Sequence, residues 1–241
     1  MSVANEKVIS SQALIEKFRQ AIDNNWGYIW GTAGEMWTAA KQKELEKTPD
    51  ANRANSRKYG SKWIGHMVAD CSGLFSWAFK QLGGYMYHGS DTMYRKYCTE
   101  KGELKKGRRT DGATLKPGTA VFTWNGDTYS HVGLYVGGDT VIEAAGANQG
   151  VIKSKLTATK WTNWGELKGV DYSGEEPKPE PGYAIVTATR VALREDPSLR
   201  ATIITRVDKG EKVKLEPEPD EWDYVEYKGN KGWMMKEFLQ E

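Results

Sequence analysis

Over the first 170 residues the spacing of apolar positions changes once. Between residues 11 and 24, Leu14, Ile15, Phe18, Ala21 and Ile22 recur three and four apart, which predicts a helix with one buried stripe. Over 70–82 a second set, Leu74, Phe75, Ala78, Phe79 and Leu82, repeats that spacing and stops at Gly83-Gly84, predicting a second helix. A third is expected to start near Ser90-Asp91. Beyond it the period falls to two, and residues 119–124, 131–136, 140–144 and 151–155 read as strands. Helices followed by antiparallel strands predict an α+β domain.

The pattern breaks at 173–182, where Pro177, Pro179 and Pro181 alternate with Lys, Glu and Gly. Prolines so placed suit neither a helix nor a sheet interior and favour an extended spacer. Short alternating runs follow at 184–187, 201–204, 212–215 and 222–227. Lys228-Gly229-Asn230-Lys231 reads as a hairpin turn before Gly232-Trp233-Met234. Several short strands within 183–241 predict a small β-barrel. The expected organisation is therefore a domain over 1–172, a linker over 173–182 and a second domain over 183–241.

Composition narrows the field. No apolar run approaches the ~18 residues that a membrane helix needs, which argues against membrane insertion. The first seven residues lack a basic stretch followed by an apolar one, so no secretory signal is expected. Two cysteines are too few for a disulfide framework, and three histidines argue against a multi-ligand zinc site; neither a metal nor a cofactor is expected. The net charge of +2 conceals an asymmetry: residues 1–172 carry 23 Lys and Arg against 17 Asp and Glu. Such a body is drawn to a polyanion, either nucleic acid or an anionic cell wall. No basic stripe interleaved with aromatics is present, so nucleic acid is not the expected partner. Ten tryptophans and twelve tyrosines suit flat, polar-edged ligands such as glycans or peptides.

Two residues carry candidate chemistry. Cys71 opens the second helix in Asp70-Cys71-Ser72-Gly73-Leu74, where the helix dipole and unpaired N–H groups favour a thiolate and can hold an oxyanion. Cys98 has no such setting and reads as a buried small hydrophobe. His131 opens His131-Val132-Gly133-Leu134-Tyr135-Val136. Alternation sends Val132, Leu134 and Val136 to the core and His131, Gly133 and Tyr135 to the other face. With no side chain at Gly133, that face is expected to leave room for a substrate or for the Cys71 helix.

Four segments, Gly27-Tyr28-Ile29-Trp30-Gly31, Asp70-Cys71-Ser72-Gly73-Leu74, Pro117-Gly118-Thr119-Ala120-Val121-Phe122 and His131 to Gly137, resemble in order the motifs of the NlpC-type cysteine peptidases. These are papain-like enzymes that cut peptidoglycan stem peptides. The resemblance implies Cys71 as nucleophile and His131 as general base. It also implies Tyr28, Asp70 and Ser72 as substrate-binding residues. The family's third catalytic residue is commonly a histidine, and Glu143 stands in its place. A further departure is the long stretch 35–69 between the first two motifs, rich in Lys, Glu, Ala and Arg, which reads as a solvated helical excursion or a lid. The tail resembles a bacterial SH3-like domain through Val191-Ala192-Leu193-Arg194-Glu195-Asp196-Pro197-Ser198, Lys209-Gly210-Glu211-Lys212-Val213, Trp222 and Trp233.

Strand register gives a separate argument for Glu143. A two-residue loop between 131–136 and 140–144 sets Glu143 opposite Leu134 and buries a carboxylate in the core. A three-residue loop, Gly137-Gly138-Asp139, pairs Val136 with Thr140 and Leu134 with Ile142. Glu143 then lies opposite Gly133 and diagonal to His131, where it can accept the imidazole N–H. The chain is thus expected to be a peptidoglycan endopeptidase, the favoured bond by resemblance being γ-D-glutamyl–diamino acid. Other expectations are an amidase or cross-bridge peptidase, a cytoplasmic wall-peptide recycling enzyme and a non-catalytic wall-binding protein. The order of the domains resembles a phage or prophage endolysin, made in the cytoplasm and acting at the bacterial wall after release.

Overall fold

The computed structural model describes residues 8–158, 160–173, 182–208, 211–216, 218 and 221–240. The chain forms two compact units, Met1–Gly174 and Glu175–Glu241. The expected spacer falls mostly on 174–181, and the Lys209-Gly210 turn on 209–210; both lie outside the described residues.

The first unit runs β1 (Ile9–Ser10), α1 (Ser11–Asp23), β2 (Ala33–Met36), α2 (Ala39–Glu46), α3 (Ala54–Tyr59), β3 (Met67–Ala69), α4 (Cys71–Gln81) and α5 (Ser90–Lys96). Strands follow: β4 (Cys98–Lys105), β5 (Arg108–Arg109), β6 (Ala120–Trp124), β7 (Tyr129–Gly137), β8 (Thr140–Gly146), β9 (Gly150–Lys155), β10 (Asn163–Leu167) and β11 (Val170–Asp171). Seven of them make an antiparallel sheet in the order β5-β4-β10-β6-β7-β8-β9, so the domain is α+β as the pattern predicts. β4 and β10 were not foreseen. β4 reads Cys-Thr-Glu-Lys-Gly-Glu-Leu-Lys, with charges masking its alternation, and β10 is buried on both faces, leaving no period of two.

Both faces of the sheet are covered. On one, α1 and α4 pack Leu14, Phe18, Leu74 and Phe75 against Val132, Leu134 and Ile142, with Phe18 and Phe75 in edge-to-face contact. The other face carries a second cluster that includes Val121, Tyr135, Val141, Trp161 and Trp164. The face of β7 expected to be open is therefore filled: a Cβ on Gly133 would lie 2.8 Å from the Trp161 ring, so the glycine makes room for an indole. The Cys71 helix sits on the opposite face, with Val132.

The stretch 35–69 is no solvated excursion. It begins and ends in a two-stranded sheet, β2 with β3, and its Trp37, Leu45, Trp63 and Val68 form a buried core with Ile29. Buried Gln42 accepts from the Trp37 indole at 3.1 Å, and the Trp63 indole donates to Ala147 O at 2.7 Å, joining this stretch to the β8–β9 turn.

The second unit contains β12 (Tyr183–Val186), β13 (Val191–Arg194), β14 (Ile203–Val207), β15 (Lys212–Glu216), β16 (Trp222–Tyr227), β17 (Asn230–Met235) and β18 (Leu239–Gln240). They form one sheet, β14-β13-β17-β16-β15-β12-β18, around Ala184, Val186, Leu193, Val213, Val225 and Met234. The hairpin is tighter than expected. Tyr227 pairs with Asn230, and Lys228-Gly229 turn the chain with both φ positive, as a two-residue primed turn requires.

Candidate active site

Asp70 is the N-cap of α4. Its extended backbone turns the chain into the helix while its Oδ1 accepts the Gly73 N–H at 2.8 Å and the Ser72 hydroxyl at 3.1 Å. Oδ2 accepts the Gly31 N–H at 2.8 Å and lies 2.8 Å from His88 Nε2. One buried carboxylate thus joins the helix start to two loops. The helix presses so closely on the first of these that a Cβ on Gly73 would meet Thr32 O at 2.0 Å. His88 is pushed to a higher pKa by its hydrogen bond to Asp70, against the effect of its own burial.

The Cys71 sulfur is buried at this junction, among the backbone N–H groups of Val132, Ser72 and Cys71 itself. Burial, and then the charge of Asp70, push the thiol up to about 12, while the three N–H groups pull the other way. The resting group is a thiol, and the helix terminus alone does not ionise it. Tyr28 lies close enough that the charges of Cys71 and Asp70, after burial, raise its phenol further above the ordinary value. It is a hydrogen-bond donor at any working pH.

Val132, the residue after His131, packs in one core cluster with Cys71. β7 and β8 pair at Leu134↔Ile142, Tyr135↔Val141 and Gly137↔Thr140. The register expected for Leu134 is present, but Thr140 faces Gly137 and not Val136. The loop is the two residues Gly138-Asp139, and a bulge at Val136 supplies the missing residue. A bulge restores the same facing as a longer loop, so Glu143 comes against Gly133, its Cβ 3.3 Å from the position of a Cβ there. Its Oε2 lies 2.6 Å from His131 Nε2. With Nε2 so engaged, Nδ1 is the nitrogen left for the thiol. Trp161 stacks on the imidazole at 5.6 Å and 18°, fixing the ring plane.

Glu143 is fully buried, and burial by itself raises a carboxyl pKa; hydrogen bonds from His131 and Lys160 outweigh that and hold it down to about 2. Lys160 Nζ donates to both its oxygens, 2.6 Å from Oε2. Sequence reasoning singled out neither Lys160, Trp161 nor His88. No motif contains them, and only the fold brings them to the site.

An open groove of about 660 Å³ runs past these residues, lined by Tyr28, Asp70, Cys71, Ser72, His88 and Tyr129 among others. Of the six residues singled out from sequence, Tyr28, Asp70, Cys71 and Ser72 line this groove, while His131 and Glu143 pair with each other on the strands beside Val132, which shares a core cluster with Cys71. Among the described residues no three His, Cys, Asp or Glu side chains are placed to hold a metal ion. Cys98 is buried away from the groove, and burial pushes its thiol up to about 12.

Residues 55–167 match the NlpC/P60 family and residues 189–240 the bacterial SH3 domain. A search of the curated proteins gives no match. Among solved structures, the NlpC/P60 domain of the peptidoglycan hydrolase SagA is similar at 14% identity and a TM-score of 0.41, over 66% of this chain and 100% of that one. The P60 domain of an antigen from M. avium subspecies paratuberculosis is similar at 20% identity and a TM-score of 0.41, over 67% and 98%. RipD from Mycobacterium tuberculosis, described as a non-catalytic NlpC/P60 domain protein adapted to peptidoglycan binding, is similar at 16% identity and a TM-score of 0.38, over 65% and 95%. Cys71, His131 and Glu143 thus lie in the segment that matches the NlpC/P60 family, and most of the C-terminal β-unit in the segment that matches the bacterial SH3 domain.

Proposed function

We propose that the protein is a peptidoglycan hydrolase that cuts stem peptides by cysteine chemistry. The observation that supports it best is the His131–Glu143 pair, joined at 2.6 Å, with His131 on a strand whose next residue, Val132, packs in the same core cluster as the buried Cys71 at the start of α4. His131 Nδ1 takes the Cys71 proton as the sulfur attacks the carbonyl, because the thiol does not ionise unaided. The imidazolium formed is stabilised by Glu143, and the oxyanion by N–H groups of the first helical turn. His131 then protonates the leaving amine, and water hydrolyses the thioester.

Tyr28 offers a phenolic donor to the substrate. Asp70 and Ser72 shape the groove beside the nucleophile, Asp70 with both oxygens already engaged. The favoured bond is γ-D-glutamyl–diamino acid. The SH3 domain holds the enzyme on the insoluble wall, the arrangement of a phage or prophage lysis enzyme acting on a bacterial host. Purified walls digested by the protein and read by mass spectrometry name the bond, and Cys71→Ala should release no peptide while still binding walls. Undiminished release by Cys71→Ala overturns the enzymatic reading. Binding by the unaltered protein without any release turns the assignment to a wall-binding protein.

A further inference from the structure

A fully buried carboxylate beside a general base creates an electrostatic difficulty. If Glu143 faced His131 alone, the buried carboxylate would favour the imidazolium, and a protonated histidine cannot take a proton from Cys71. Lys160, just beyond β9, donates to both Glu143 oxygens and lays its ammonium 4.6 Å from the centre of the Trp161 ring. The next residue, Trp161, stacks on His131 itself. Two consecutive side chains therefore grip the His131–Glu143 pair, one on the carboxylate and one on the ring.

We propose that Lys160 is a positioning residue: it balances the charge of Glu143, so the carboxylate orients His131 without holding it protonated. The assignment rests on the cysteine-hydrolase reading for its functional meaning, but its electrostatics do not depend on any substrate. The charged groups that bear on His131 are Glu143 from β8 and Lys160 beyond β9, and Cys71 from α4 packs with Val132, the next residue. Asp70 and Tyr28 act through Cys71, and His88 through Asp70.

The chain has only His66, His88 and His131, so proton NMR of the imidazole Cε1–H resonances can follow each through a pH titration of the full-length protein. Removing a cation two hydrogen bonds from the ring should raise the His131 midpoint by about one pH unit, a tenfold change in its protonation equilibrium. Lys160→Met should show that rise with His66 and His88 unmoved, and the acid limb of muropeptide cleavage should move upward with it. Lys160→Gln keeps a donor and loses the charge, and should shift the midpoint in the same direction. Lys160→Arg should restore the native value. An unchanged His131 midpoint in a folded Lys160→Gln protein overturns the proposal, as does an equal shift of all three histidines. A protein whose His131 titrates as expected but which cuts no wall leaves the electrostatic role standing and overturns the hydrolase reading.

Discussion

At the scale of single residues, the site depends on where one carboxylate finds its partners. Glu143 has no solvent exposure and is held ionised by His131 and Lys160. Glu143→Ala should keep the fold and lose roughly 10²-fold or more in turnover, on the scale of a positioned acid–base contribution. Glu143→Gln should lose less, since an amide oxygen still accepts the ring N–H; steady-state cleavage of a soluble muropeptide distinguishes the two. The same group gives a stability signature. Its carboxyl is held down to about 2, against ~4.3 in an unfolded chain, so the stabilisation it supplies is complete above the unfolded value and disappears as pH falls through the folded one. Urea unfolding between pH 5 and 2 should therefore show a steeper loss in the native protein than in Glu143→Gln.

At the scale of elements, the stretch between β2 and β3 changes meaning once its core is seen. Its sequence is dominated by charged helix formers, which read equally well as a solvated arm. Trp37 and Trp63 are both buried, however, and the Trp63 indole donates to Ala147 O. The Trp63 ring occupies the space a side chain would need at Gly27, and at Gly150 it does so together with Trp26 O and a positive φ. Trp63→Ala should cost about 3–5 kcal/mol of domain stability, the range for a buried aromatic truncated to alanine. An unchanged unfolding midpoint would return this stretch to the status of a free arm. α4 shows the opposite balance: its stripe and its glycine stop are local and legible in the sequence, while the structure adds Asp70 as its cap.

On the scale of the whole molecule, the proposed catalytic and wall-binding roles fall to separate compact units. A chain cut after Gly174 should hydrolyse soluble muropeptides at the native rate and sediment less with whole walls, because it loses the effective concentration that a tethered binder supplies. The excess of Lys and Arg over residues 1–172 partly compensates at low salt, so the contrast belongs near physiological ionic strength. Equal wall binding by the cut and full chains across a salt series would make the second unit a passive appendage.

What the sequence determined by itself had a local cause: α1 and α4 from their stripes, the strands with a clean period of two, a cysteine at a helix start, and the facing of Ile142 and Leu134. Even the route of that facing was misread, since a loop one residue longer and a bulge at Val136 leave the same residues opposite one another. The tertiary structure decided what depends on a second segment. It covered the His131 face of the sheet with Trp161, brought Lys160 onto Glu143 from 17 residues away, and linked His88 to Asp70. A lone lysine or tryptophan carries no periodicity that marks its partner. Its role is set by which buried charge or open face the fold places beside it, and that is a property of packing between distant residues.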